Sequence, residues 1–146
     1  MSTKVFFNLP VADLAASTAF FTTIGFSFDP TLTDENVGCL VIGDDVYALL
    51  VGAEFFTSHT GRQVADTSAA NEVTIAVQVD DRERLVDDIV DKALAAGAEA
   101  AGSEVPDDFM HSRSFRDLDG HFWSVLHIDA SAVPSQDVAE PAGVAG

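Results

Sequence analysis

The chain spells one order of elements twice. Val5, Phe7, Leu9 and Val11 alternate with Phe6, Asn8 and Pro10, the period-two pattern of a strand. Asp13 then stands as an N-cap before Leu14, Ser17, Phe20, Phe21 and Ile24 at helical spacing, and Gly25 ends that helix. Strand-like segments follow at residues 26–28, 37–42 and 46–51, the last two joined by the turn Gly43-Asp44-Asp45. The series returns at residues 72–79, where Val73, Ile75, Val77 and Val79 share one face. A helix over about 82–96 follows, with Leu85, Ile89 and Leu94 inward and Asp87, Asp88 and Asp91 outward, until Gly97 stops it. Strands at 98–101, 111–116 and 121–128 complete the second series. Val11 and Asp13 match Val79 and Asp81, Gly25 matches Gly97, and Ala48 matches Ser124 in the last strand of each half.

Either half alone leaves one sheet face uncovered, so two must combine into one unit. The expected fold is α+β: two βαβββ modules in tandem forming a curved sheet cleft, with helices on the outer faces. The modules fall at about 4–52 and 72–129 within a single domain of residues 1–130. The polar stretch 53–71 between them reads as a lid-like linker with room for a short helix, and His59 and Arg62 on it read as solvent-facing loop residues, with closure over a ligand as the alternative. The Ala-, Pro- and Gly-rich residues 131–146 read as a loose tail.

Charge narrows the partners. Twenty-four acidic residues against 7 basic ones leave a formal charge of −17, a field that repels phosphate backbones and anionic lipids and favours cations. Nucleic acid is therefore not an expected partner. No apolar run approaches the roughly 20 residues a membrane span requires, and Asn8, Pro10 and Asp13 interrupt any leader-like segment. The single cysteine, Cys39, excludes an internal disulfide, reads as core filling and fits a cytoplasmic protein.

Two stretches carry a resemblance. Phe7-Asn8-Leu9-Pro10-Val11-Ala12-Asp13-Leu14, followed by Ser17, Phe20-Phe21 and Ile24-Gly25-Phe26, resembles the first βα unit of the vicinal-oxygen-chelate superfamily, the glyoxalase/bleomycin-resistance/extradiol-dioxygenase proteins. Arg113-Ser114-Phe115-Arg116-Asp117-Leu118-Asp119-Gly120-His121-Phe122-Trp123 resembles that family's arginine/aromatic strand and aspartate-glycine hairpin, with Leu118 where members often have proline. The resemblance covers residues 4–129 and implies the same fold and a homodimer. It singles out no reaction, because the superfamily holds isomerases, epimerases, dioxygenases, thiol transferases and antibiotic-binding proteins. Many of its enzymes hold a divalent metal with His, Gln or Glu side chains. Carried over by position, those places hold Phe6, Ala48, Thr74 and Ser124, a set with no good ligand for such an ion.

Strand parity then predicts the lining of the cleft. Phe6, Asn8, Val46, Ala48 and Leu50 come from the first half, and Thr74, Ala76, Gln78, Phe122, Ser124 and Leu126 from the second. His111, Arg113 and Phe115 share one strand face; on the cleft side they would supply a base and a fixed cation. Glu72 has the parity of Thr74 and is a second candidate base. His121 reads as a turn residue and His127 as an edge residue, while Asp117 and Asp119 read as turn formers. A mostly apolar pocket with neutral hydrogen-bonding groups suits a small hydrophobic or cationic molecule. The expectation is a binding protein of sequestering or resistance type without a cofactor. The alternative is a lyase, isomerase or dioxygenase with a displaced site or a divalent metal.

Overall fold

The computed structural model describes residues 3–79, 83–102, 110–129 and 131. In the first module, β1 (Val5–Val11), α1 (Leu14–Thr23), β2 (Ser27–Phe28), β3 (Val37–Gly43) and β4 (Val46–Gly52) build a sheet in the order β1-β4-β3-β2. After α2 (Ala53–Thr60), the second module sets β5 (Thr74–Gln78), α3 (Glu83–Ala95), β6 (Glu99–Ala101), β7 (Met110–Arg116) and β8 (Phe122–Ile128) into the order β5-β8-β7-β6. In each sheet the first strand runs parallel to the last and the remaining pairs are antiparallel. The expected α+β fold of two βαβββ modules is the one observed. β1 and β5 each lie at the edge of their sheet. No helix among the described residues is long and apolar enough to cross a membrane. Asp81 and residues 132–146, the bulk of the expected tail, lie outside the described residues.

Local chemistry explains the boundaries of α1. The Asp13 carboxylate accepts the Ala16 amide at 3.0 Å, satisfying a donor that the first helical turn leaves unpaired. At the other end Gly25 takes φ 111°, a left-handed conformation that costs glycine little.

The two sheets share one core. Leu9, Leu40, Ala48 and Leu50 of the first sheet and Ile75, Phe115, Trp123 and Val125 of the second belong to a single buried cluster with Phe20, Phe21 and Ile24 of the α1 segment and Val86, Val90 and Ala93 of α3. Each sheet therefore turns its helix-bearing face toward this core. Phe21 lies 5.2 Å from Trp123 and Phe20 lies 6.1 Å from Phe115, so α1 of the first module packs on strands of the second. Burial of a large side chain of this kind contributes about 1.5–3 kcal/mol. The inner face of α3 differs from expectation. Leu85 is exposed, and Val86, Val90 and Ala93 face the core, with Ile89 and Leu94 beside them.

The β7–β8 hairpin fastens the modules together. Its Asp119 accepts the Ala12 amide at 2.8 Å and the Ser17 hydroxyl at 3.2 Å, both from the first module. Thr67 of the linker donates to the Asp119 carbonyl at 2.6 Å. Gly120 is required here: it has φ 83°, and a Cβ would collide with Thr67. Asp117 accepts the amides of Asp119 and His121 and the Trp123 indole N–H, at 2.9, 3.0 and 2.9 Å. The two acids do form the turn, and Asp119 also joins one half of the molecule to the other.

The register of β4 corrects the predicted lining. Phe7 stands opposite Ala48 and Leu9 opposite Leu50, so Ala48 and Leu50 share the helix-side face and are fully buried. Val46 has the same parity and faces the same way. In the second module Ile75 stands opposite Trp123 and Ala76 opposite Ser124. The counterpart of Ala48 is thus Trp123, and that of Ser124 is Leu49. A slip of one residue in matching the halves exchanges the two faces of the strand. Residues 46–51 are apolar throughout, so alternation gives no warning of the slip.

Candidate functional site

With the helix sides turned to the core, the opposite face of each sheet stays open. In the first module this face carries Phe6 and Asn8 from β1, Tyr47 and Leu49 from β4, and Val41 from β3. Phe6 and Tyr47 stack with their centroids 4.9 Å apart and planes 14° from parallel. The Lys4 ammonium lies 5.5 Å from the centre of the Tyr47 ring. Cys39, in register with Leu49, is fully buried, and its surroundings, burial first and Asp29 second, push the thiol above its ordinary pKa. Such a thiol is a poor nucleophile.

The open face of the second module is more polar. Thr74, Ala76 and Gln78 of β5 lie beside Phe122, Ser124 and Leu126 of β8, and Arg116, Ser114 and Ser112 of β7 continue the three rows. The hydroxyls of Ser114 and Ser124 are 2.8 Å apart. The Arg116 guanidinium sits 5.4 Å from the Phe122 ring centre and donates to the Gly120 carbonyl at 3.0 Å and to Asn71 Oδ1 at 2.9 Å. A cation held over an aromatic ring in this way is fixed in position and keeps other N–H groups for a ligand.

The structure therefore gathers the sequence-predicted residues into two groups: Phe6 with Asn8, and Thr74, Ala76 and Gln78 with Phe122 and Ser124. It takes Ala48 and Leu50 away, and His111 and Arg113 as well. His111 Nε2 lies 3.0 Å from Asp87 Oδ1, and Arg113 donates to Asp87 and Asp91 at 3.2 and 2.9 Å. Both side chains face α3, because β7 pairs Arg113 with the buried Val125. The His111 hydrogen bond, with Arg113 adding to it, holds the Asp87 carboxyl below its ordinary pKa. The residues missed were Tyr47, Leu49, Ser114 and Arg116. Arg116 was within reach, since counting back across the hairpin from Phe122 puts it directly opposite. His59 and Arg62 are both exposed, with His59 stacked on Phe55.

Glu72 is also engaged, with an unexpected partner. His121 is 1% exposed, and its Nδ1 lies 3.2 Å from Glu72 Oε1 while its Nε2 lies 2.7 Å from the Pro10 carbonyl. The Pro10 carbonyl accepts, and an ionised Glu72 accepts as well, so the pair of partners favours an imidazole protonated on both ring nitrogens. Burial opposes that charge, but Asp117, the Pro10 carbonyl and Glu72 outweigh it and raise the pKa above the ordinary value of 6.5. His121 is thus a buried bridge between modules rather than a turn residue.

The positions that the resemblance assigns to a metal do not fit one. With the register corrected they hold Phe6, Leu49, Thr74 and Ser124, two hydrocarbon groups and two neutral hydroxyls. Among the described residues no group of three or more His, Cys, Asp or Glu is arranged to hold an ion.

Comparison with known proteins agrees with this architecture. A family model described as bleomycin resistance protein-like N-terminal matches residues 3–43, which run from β1 through β3. No curated protein matches the chain. The chain is similar in structure to the hypothetical protein SA1046 from S. aureus, with 27% identity and a TM-score of 0.72 over 87% of this chain and 95% of that one. A glyoxalase/bleomycin resistance protein/dioxygenase family enzyme from Burkholderia phytofirmans PsJN shares the fold at 15% identity and TM-score 0.70, over 87% and 99%. TnmS3, an antibiotic binding protein from Streptomyces sp. CB03234, does so at 18% and 0.58, over 88% and 97%. The family model thus reaches from β1 through β3, and the fold of both modules is the one that the resemblance to the vicinal-oxygen-chelate superfamily implies.

Proposed function

We propose that the protein is a small-molecule-binding member of this superfamily, of sequestering or resistance type, which works in the cytoplasm without a metal or other cofactor. Its ligand lies between the first-module face of one copy and the second-module face of another. The observation that carries this reading is the pair of uncovered, chemically different faces at equivalent places in the two modules. Phe6 is 39% exposed beside Tyr47, and Thr74, Ala76 and Gln78 are exposed on the other sheet. An aromatic shelf binds a planar ring with about 0.5–1.5 kcal/mol beyond the area buried. Hydroxyls and a fixed guanidinium then orient its substituents. The name of TnmS3 as an antibiotic binding protein supports the same reading. The acidic field adds a preference for hydrophobic ligands that are neutral or cationic overall.

An enzymatic reading as a lyase, isomerase or dioxygenase has less support. The two candidate bases, His111 and Glu72, are already tied to Asp87 and His121. A reaction through an enediolate needs strong electrostatic stabilisation at the developing charge, and among the described residues the cations on the open faces are Lys4, over Tyr47, and Arg116, over Phe122 on the other sheet.

Sedimentation and a thermal-shift screen of polycyclic aromatic compounds test the proposal. A homodimer is expected, with a melting temperature that rises with concentration of a binding compound. Ser124→Trp, which fills the second face without entering the core, should remove the shift. A monomer at all concentrations, or a shift that Ser124→Trp leaves intact, would refute the proposal.

A further inference from the structure

A separate cavity lies where the modules meet, at the free edge of β1, under α2 and the residues leading into β5. Its volume is 360 Å³, within the range of about 300–1,000 Å³ common to small-molecule sites. Phe7, Phe56 and Val73 give it apolar walls, and Asn8, Gln63 and Glu72 are polar groups on its lining. These polar groups are exposed and make few hydrogen bonds to the protein. Glu72 gives one oxygen to His121, and its second oxygen has no hydrogen bond among the described residues. The side chains of Asn8 and Gln63 have none there either.

Charge decides what such a cavity takes. No Lys or Arg lines it. Among the described residues Glu72 is the one carboxylate on its lining, with the buried His121 ring 3.2 Å behind it. A carboxylate beside apolar walls gains most from a cation that brings its own N–H donors. We infer that this cavity is a second binding site, for a small amine with an aromatic or aliphatic body. The three ammonium N–H groups meet Glu72 and the side-chain carbonyls of Asn8 and Gln63, while the body lies against Phe7, Phe56 and Val73. Three acceptors for three donors is the number that an ammonium group requires. The site goes beyond the open-face reading and does not depend on a dimer.

The test is a nuclear magnetic resonance titration of the full chain, labelled on its backbone amides, with benzylamine and with benzyl alcohol as its neutral isostere. Benzylamine is expected to move the amides of Leu9, Phe56, Gln63 and Val73 and to bind at least tenfold more tightly than the alcohol. Glu72→Gln should bring the amine to the affinity of the alcohol. Because that change also removes a partner of His121, Ala65→Phe provides the second variant: it adds bulk at an exposed wall position and should weaken both probes without unfolding the chain. Three results overturn the inference: equal affinity for amine and alcohol, no response to Ala65→Phe, or shifts confined to Thr74, Ser124 and Leu126. The last would move the amine to the open face and leave the earlier proposal standing.

Discussion

Ala48 and Trp123 occupy the same place in the two modules, on the last strand and facing the core, yet one is a methyl group and the other an indole. Trp123 reaches across to Phe21 and Phe26 of the first module, at 5.2 and 6.3 Å, and stacks on Phe115 in its own sheet. The duplicated backbone is kept, and side-chain volume is placed where the joint core needs it. The outer faces diverge in the same manner. Phe6, Leu49 and Val41 in the first module correspond to Thr74, Ser124 and Arg116 in the second, so one face is made for contact with rings and the other for hydrogen bonds.

The largest expected effect tests the core side of this comparison. Trp123→Ala should cost about 3–5 kcal/mol in urea unfolding, for the lost packing and the cavity left behind. Ala48→Leu should cost about 1–3 kcal/mol by overpacking. A milder loss from Trp123→Ala than from Ala48→Leu would break the claim that the second module supplies the shared filling.

Next comes the bridge between modules. His121→Gln should lower stability by about 1.5–3 kcal/mol near neutral pH, the range for hydrogen bonds to charged groups. The folded pKa of His121 is raised above 6.5. Its contribution is therefore complete below the unfolded value and fades as pH rises through the folded one. Urea midpoints from pH 5.5 to 9 should fall more steeply for the wild type than for His121→Gln; parallel curves would refute the charged bridge.

The smallest effects separate two arginines on one strand. Arg116→Leu should weaken an aromatic ligand carrying acceptor groups by about tenfold, equal to 1.4 kcal/mol, with little change in unfolding. Arg113→Leu should leave ligand affinity alone and cost about 0–1 kcal/mol, as partly exposed ion pairs do. Calorimetric titration of both variants checks this, and reversed roles would put the ligand on the helix side.

Much of the fold was legible because its signals are local. Alternating residues, the Asp13 cap and the ending glycines Gly25 and Gly97 mark elements through contacts only a few residues long. The site was legible only in part. Thr74, Ala76 and Gln78 alternate with apolar neighbours, so their face could be assigned; residues 46–51 are apolar on both sides, so theirs could not. Arg113 and Arg116 look equally suitable in sequence, and the aspartates that claim Arg113 lie on a helix more than twenty residues earlier. The His121 bridge joins residues from opposite ends of the chain, and no local pattern announces such a contact.

Pro10 sits on the free edge of β1 and has no N–H to offer, while its carbonyl is taken by His121. An incoming strand thus finds neither donor nor acceptor at that point. Exposed edges are where sheets recruit further chains and grow into aggregates. By closing this stretch, the chain can leave its broad faces bare for visitors while its margin resists extension.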